Sequence, residues 1–106
     1  MVVYIDIDET ICGYNPPEDR DYNKAIPNIP NIIKANKLYN EGHTVVYWTA
    51  RGAVSGIDWT ELTKEQLNKW GAKHHELRLD KPFYDVFIDD KNINVKDWKD
   101  NLVDQK

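Results

Sequence analysis

The N-terminal stretch that decides the fold reads VVYIDIDET at residues 2–10. Residues 2–7 are mostly β-branched or aromatic, a composition typical of a buried β-strand. Side chains alternate between the two faces of a strand, so Asp6 and Asp8 point to the same side if the strand stays extended that far. The stretch therefore predicts a buried strand that carries two carboxylates to its C-terminal end.

Helical and strand patterns alternate downstream of this stretch. Residues 12–30 contain four prolines and predict a loop or flap, because proline interrupts regular elements. The remaining expected elements are, in order, a helix from Asn31 that Gly42 ends, a strand at 44–49, a helix at 60–70, a short strand at 75–79, a strand at 85–89 and a short helix at 97–103. The alternation predicts a single α/β domain spanning residues 1–106, with a Rossmann-like three-layer fold and a small, mainly parallel sheet.

Length, charge and cysteine content exclude several classes of protein. The chain has 106 residues, with 14 Lys and Arg against 18 Asp and Glu, so its formal net charge is −4. Nucleic-acid and anionic-membrane binders need clustered basic residues, so neither partner is expected. Cys12 is the only cysteine, which excludes an intrachain disulfide. Without a targeting or membrane-spanning pattern, a cytoplasmic location is expected.

Polar side chains fall at the ends of the predicted strands. In parallel α/β sheets, ligands bind beyond the carboxyl ends of the strands. The polar residues predicted at or beside this edge are Asp6, Asp8, Thr49, Lys81, Asp89 and Asp90. Carboxylates, one ammonium group and one hydroxyl are therefore expected to converge there. For any single aspartate, capping of a turn or of the next helix is the alternative interpretation.

This concentration of carboxylates predicts a cation. Two like charges about 4 Å apart repel by roughly 4 kcal/mol at an effective dielectric constant near 20. Oxygen ligands suit Mg²⁺, which prefers one or two carboxylates together with water and a phosphate oxygen. The pattern thus indicates a phosphorylated substrate, with Lys81 and the Thr49 hydroxyl serving the remaining phosphate oxygens.

Four motifs of this chain resemble those of the haloacid dehalogenase-like (HAD) hydrolases. They are DIDET at 6–10, VVYWT at 45–49, Lys81, and VFIDD at 86–90. The resemblance covers nearly the whole chain, in the order that the family shows. It implies a phosphatase rather than a dehalogenase, because a dehalogenase needs no acid at Asp8.

Finer features narrow the resemblance. Residues 49–52, 80–82 and 88–91 look like small phosphatases of capsular polysaccharide biosynthesis. The gaps at 12–30 and 50–80 are too short for the cap domain that larger family members carry, so the capless type is implied. The flap at 12–30, a neighbouring subunit of a homo-oligomer, or the bulk of the substrate would then complete the pocket.

The resemblance implies a role for each motif residue. Asp6 would be the nucleophile that forms an aspartyl-phosphate, and Asp8 the general acid and then the base. Asp8 must start protonated for this, so its pKa should be raised by the neighbouring negative charge. Mg²⁺ would be bound by Asp6, by the backbone carbonyl of Asp8 and by Asp89, with Asp90 binding directly or through water. The expected activity is Mg²⁺-dependent hydrolysis of a small phosphorylated metabolite, with a sugar phosphate favoured.

Several interpretations stay open at this level. Thr49, Ala50, Arg51 and Lys81 are the expected substrate- and phosphate-binding residues, although a salt bridge to the loop is an equal alternative for Arg51. Tyr14 and Tyr22 on the flap are expected substrate contacts. One rival function is a nucleotidase or polynucleotide end-phosphatase. Another is a binding module that holds metal and phosphate without turnover.

Overall fold

The fold is built around a parallel sheet whose strands are joined by helical crossovers. The computed structural model describes residues 1–102. The elements in chain order are β1 (Val2–Ile5), β2 (Cys12–Gly13), a 3₁₀ helix at Tyr22–Lys24, β3 (Ile26–Pro27), α1 (Ile29–Asn40), β4 (Thr44–Trp48), α2 (Thr60–Lys69), β5 (Glu76–Arg78) and a second 3₁₀ helix at Val95–Asp97. This order confirms the predicted α/β class with its small parallel sheet.

The sheet has the strand order β1-β4-β5, with both pairs parallel. Ile5 pairs with Tyr47 in β4, and Tyr47 pairs in turn with Leu77 in β5. The buried core includes Ile5, Ile7, Ile11, Val45, Tyr47 and Leu67. The first predicted strand is shorter than expected, because the backbone leaves the sheet after Ile5.

Local sequence signals mark both ends of α1 and the end of α2. The Asn28 side chain accepts a hydrogen bond from Asn31 N at the start of α1, and Pro30 occupies its first turn. Gly42 follows the helix with φ +95°, a left-handed conformation that glycine adopts at little cost. Gly71 follows α2 with φ +68° in the same way. Helix α1 begins at Ile29, inside the stretch predicted as flap.

The flap carries short regular pieces only, as its prolines predict. Strands β2 and β3 form a two-stranded antiparallel ribbon that pairs Cys12 with Pro27 and Gly13 with Ile26. The first 3₁₀ helix lies between them in sequence. The ribbon holds the two ends of the flap together, so the flap leaves and rejoins the fold at one place. Within residues 1–102, no helix is both long enough and apolar enough to cross a bilayer.

The strand predicted at 85–89 is wrong in this structure. These residues form no regular element, and the side chains of Val86 and Ile88 are 74% and 93% exposed. A strand is stabilised by its neighbours as well as by its composition, and here β1 is left as an edge strand beside this segment. The helix predicted at 97–103 is replaced by the 3₁₀ helix that ends at Asp97, and Val103 lies outside the described residues.

Candidate active site

The carboxyl ends of β1 and β4 bring three predicted site residues to one edge of the sheet. Asp6 directly follows β1, and Thr49 directly follows β4. Lys81 joins them because its backbone N–H donates to the carbonyl of Thr49, at 3.2 Å. Its ammonium nitrogen lies 3.5 Å from Asp6 Oδ2. A carboxylate and an ammonium group are thus paired at the edge where a parallel sheet binds ligands.

The Asp6 carboxylate is partly buried and has two partners. Its Oδ1 accepts a hydrogen bond from the backbone N–H of Ile7, at 2.9 Å, and its Oδ2 faces Lys81. Burial raises the pKa of Asp6 above its usual value, although the Lys81 ammonium opposes the rise. The charge of Asp8 adds to the rise. The Asp6 side chain is still 39% exposed, so its carboxylate can be reached by a ligand in the adjoining cavity.

Two aromatic rings flank Lys81. Its Nζ lies 5.5 Å from the ring centre of Trp48 and 5.2 Å from that of Tyr84, within range of cation–π interactions. Beyond Asp6 and Lys81 opens a cavity of about 690 Å³. One wall of the cavity is strand β1, and the other is formed by the segment that runs from Lys81 toward Leu102.

Thr49 is 1% exposed, and its hydroxyl is already engaged. Its Oγ1 accepts a hydrogen bond from the backbone N–H of Arg51, at 3.2 Å. The hydroxyl can still donate one hydrogen bond of its own. Ala50 is partly buried, and its carbonyl accepts from the backbone N–H of Ala53. The loop after β4 is thus shaped by its own hydrogen bonds.

Asp8, whose side chain is 18% exposed, forms a salt bridge with the fully buried side chain of Arg51. Arg51 Nε donates to Asp8 Oδ2 at 3.0 Å, and Arg51 Nη2 donates to Asp8 Oδ1 at 2.9 Å. The Tyr14 hydroxyl also donates to Oδ1, and the Cys12 thiol approaches the same oxygen at 3.4 Å. The pairing is bidentate, the geometry in which an arginine and a carboxylate interact most strongly.

Arg51 Nη1 binds two side chains of α2. Its Nη1 donates to Thr63 Oγ1 at 3.1 Å and to Gln66 Oε1 at 2.6 Å, both on α2. Its guanidinium carbon lies 4.8 Å from the ring centre of Tyr22 on the flap. Arg51 is only 2% exposed, so the structure favours the salt bridge over direct substrate binding.

The predicted rise in the pKa of Asp8 is wrong. Burial raises its pKa, but the hydrogen bonds and charge of Arg51, with the Tyr14 hydroxyl, more than offset burial and lower the pKa below its usual value. The Asp8 charge works in the opposite direction on Tyr14, whose pKa is raised by burial and by that charge. The sequence-based expectation considered only the neighbouring acidic residues, whereas the nearest charge to Asp8 is positive.

The predicted convergence of four carboxylates does not occur. Asp89 and Asp90 are exposed, and Asp89 lines the cavity together with Asp6. Among residues 1–102, no group of three or more His, Cys, Asp or Glu side chains is arranged to hold a metal ion. The reason is that residues 85–89 form no strand, so no strand end carries Asp89 and Asp90 to the edge occupied by Asp6. The described side chains therefore do not assemble the predicted group of four carboxylates, and Mg²⁺ binding stays a prediction.

Sequence reasoning missed two residues of the Asp8 site and the bond that a third, Tyr14, makes there. Thr63 and Gln66 lie three residues apart on α2, which places them on one face of the helix. Both are buried polar residues, whereas the sequence pattern predicts burial only at the apolar positions of this helix. Tyr14 was expected to contact substrate, but its hydroxyl binds Asp8. A polar pair at helical spacing beside Leu67 is the signal that could have been used.

Comparisons with known proteins support the fold. The chain is similar to the crystal structure of a target protein from Vibrio cholerae, with a TM-score of 0.79 and 21% sequence identity. The match covers 90% of this chain and 84% of that chain. No protein-family model matches the chain, and no curated protein matches it either. The likeness extends the small Rossmann-like α/β assignment to almost the whole molecule.

Proposed function

We propose that the protein is a phosphomonoesterase of the HAD-like type that acts through an aspartyl-phosphate on a small phosphorylated metabolite, with a sugar phosphate favoured. The observation that carries the proposal is the pair formed by Asp6 and Lys81, 3.5 Å apart at the end of β1. The pair lines a cavity large enough for a small metabolite. A nucleophile beside a fixed positive charge is what attack on a phosphate ester requires.

In the first step, an oxygen of Asp6 attacks phosphorus, and the bond from phosphorus to the ester oxygen breaks. Lys81 holds a non-bridging oxygen of the phosphoryl group, where negative charge must be stabilised. The leaving oxygen departs with the electron pair of the broken bond and takes up a proton. Because Arg51 keeps Asp8 largely ionised, that proton comes mainly from water, so esters of acidic alcohols should react fastest.

In the second step, water attacks the phosphorus of the aspartyl-phosphate. An ionised Asp8 accepts the proton of that water, the bond between phosphorus and the Asp6 oxygen breaks, and phosphate leaves. The salt bridge with Arg51 suits this base role better than the acid role, because it favours the ionised carboxylate. Asp6 and the backbone carbonyl of Asp8 are the groups that would hold a Mg²⁺ ion, and such an ion would neutralise charge on the phosphoryl oxygens.

A nucleotidase is the second candidate, and the rings of Trp48 and Tyr84 beside Lys81 favour it. Aromatic side chains stack on nucleobases, as they also do on the apolar faces of sugars. A panel of sugar phosphates, nucleoside monophosphates and phosphorylated oligonucleotides separates the candidates by kcat/KM. Turnover of the oligonucleotides alone would favour the end-phosphatase.

The proposal is tested with p-nitrophenyl phosphate and purified protein, assayed with Mg²⁺ and with EDTA. Asp6→Asn should lower kcat by roughly 10³-fold or more, because it removes the nucleophile. Glu61→Gln, at an exposed position on α2, is the matched control and should keep wild-type activity. Mg²⁺ dependence stays a prediction, and full activity in EDTA would contradict it. Phosphate binding without turnover of any ester would favour the binding module.

A further inference from the structure

Gln66 connects three parts of the molecule. Its side-chain oxygen accepts a hydrogen bond from Arg51 Nη1, at 2.6 Å, and its side-chain nitrogen donates to the carbonyl of Tyr22 on the flap, also at 2.6 Å. Helix α2 carries Gln66, the loop after β4 carries Arg51, and Arg51 in turn binds Asp8. Gln66 is only 8% exposed, so both of its bonds are shielded from competing water.

We propose that Gln66 is a positioning residue, which holds the Arg51 guanidinium flat against Asp8 and fixes the direction in which the Asp8 carboxylate points. The catalytic part of this inference rests on the proposed function, because it assigns Asp8 to proton transfer. The positioning part rests on geometry alone. Nothing in the proposed mechanism gives Gln66 contact with substrate, so its effect must pass through Arg51.

The geometry of the guanidinium explains why its orientation matters. The group is planar, and its five N–H bonds lie in fixed directions. Gln66 and Thr63 hold Nη1. The two nitrogens that face Asp8, Nε and Nη2, can therefore pair with a carboxylate in only one orientation. If Nη1 lost Gln66, the plane could rotate about the Nε side, and the Asp8 oxygens would follow.

The two oxygens of Asp8 are not equivalent. Oδ1 accepts from Arg51 Nη2 and from the Tyr14 hydroxyl, with the Cys12 thiol also close to it. Among the contacts of residues 1–102, Oδ2 accepts only from Arg51 Nε. The network therefore keeps Oδ2 as the oxygen with a free lone pair, and Oδ2 is the atom we assign to proton transfer. A displacement of about 1 Å at such an atom can cost about 100-fold in rate.

A purely structural role for Gln66 makes different predictions. Loss of a buried polar contact alone would lower stability and reduce the active fraction of the protein. A smaller active fraction would lower kcat by the same factor for every substrate. Misplacement of Asp8 would instead slow the second step, in which Asp8 is the base, and would lower kcat most for esters with good leaving groups, whose first step is fast. For those esters KM would fall together with kcat, and kcat/KM would stay near its wild-type value.

The experiment compares wild-type protein with Gln66→Met and with Glu65→Met, an exposed control on the same helix. We expect Gln66→Met to lower kcat for p-nitrophenyl phosphate by about tenfold more than for alkyl phosphates, with kcat/KM for p-nitrophenyl phosphate changed less than about twofold. Glu65→Met should match wild type with both esters. Equal losses of kcat for the two esters would overturn the assignment of Asp8 positioning to Gln66.

A second measurement does not depend on activity. The Nε–H group of Arg51 donates to Asp8 and is buried, so its NMR resonance should exchange slowly with water. Gln66→Met should broaden this resonance or speed its exchange, whereas Gln66→Glu, which keeps the acceptor for Nη1, should retain it. An unchanged Arg51 resonance in a folded Gln66→Met protein would overturn the proposal. If wild type hydrolysed no ester, the proposed function would fail, and this resonance would still decide whether Gln66 holds Arg51.

Discussion

The surroundings of Asp8 and of Asp89 differ in how completely their polar groups are paired. Asp8 accepts hydrogen bonds from Arg51 and Tyr14 in a largely buried setting. Asp89 lies on an exposed segment that forms no strand and contributes to no metal-binding group within residues 1–102. The first region is organised before any ligand binds, whereas the second has made none of the pairings that its sequence pattern predicts.

The difference shows what holds each region. Around Asp8, contacts come from β1's following loop, the flap, the loop after β4 and α2, all fixed by packing against one core. The segment 85–89 would need the edge of β1 to become a strand, and instead its Val86 and Ile88 side chains face solvent. Buried charge pairs are strong only where surrounding elements hold them, and only the Asp8 region meets that condition.

The largest expected effect on stability comes from breaking the salt bridge between Asp8 and Arg51. Arg51→Met should destabilise the protein by about 3–5 kcal/mol, because it leaves the Asp8 charge buried without its partner. Arg78→Met is the matched control, since Arg78 pairs with Asp80 at 2.6 Å on the surface. Its loss should be far smaller, as solvent screens the pair. Urea unfolding of both variants measures the difference, and equal losses would show that the Asp8 pair is not buried in solution.

An effect of intermediate size is expected when an apolar residue of the core is compared with one of the segment 85–89. Leu67→Ala should cost about 2–5 kcal/mol, since Leu67 is fully buried in the core. Ile88→Ala should change the free energy of unfolding by less than about 0.5 kcal/mol, because the side chain is exposed. Thermal and urea unfolding provide the measurement. A cost at Ile88 similar to that at Leu67 would show that residues 85–89 pack against β1 in solution.

The smallest expected effect is a difference in pH dependence between two carboxylates. Asp8 has a lowered pKa, so its contribution to stability is present above pH 3.8 and is lost as pH falls through its folded-state pKa. Asp6 has a raised pKa, so its contribution has the opposite sign: stability is gained as pH falls through its folded-state pKa toward 3.8.

Acid titration of variants separates these two contributions. Relative to wild type, Asp8→Asn should weaken the loss of stability that occurs as pH falls below 3.8. Asp6→Asn should remove the gain of stability that occurs as pH falls toward 3.8. Urea midpoints measured from pH 7 to pH 3 give both slopes. Shifts of the same sign in the two variants would contradict the assignment of opposite environments to these neighbouring carboxylates.

Much of the fold follows from local sequence patterns. The strands β1, β4 and β5 lie inside the predicted ranges, because short β-branched runs flanked by turn residues specify them locally. The shared edge of Asp6, Thr49 and Lys81 follows from the same strand ends. What these residues do chemically stays a prediction from the motifs they form.

The rest depended on packing that no local pattern encodes. The sequence did not decide between substrate binding and a salt bridge for Arg51, because its partner Asp8 lies 43 residues away along the chain. Gln66 and Tyr22 enter the network only because α2 and the flap meet beside that pair. The strand predicted at 85–89 has a strong pattern, but a strand also needs a neighbour, and pairing is decided by the whole chain.

The reactivity of the Cys12 thiol reports on the opening of the cluster around Asp8. It is the only thiol in the chain, it is buried, and burial together with the nearby Asp8 charge raises its pKa to about 12. Thiol reagents react with the thiolate, so alkylation must wait for an opening that exposes Cys12 to water. The alkylation half-life of unmodified protein therefore reports how readily the cluster around Asp8 opens, and a ligand that binds this cluster should lengthen it.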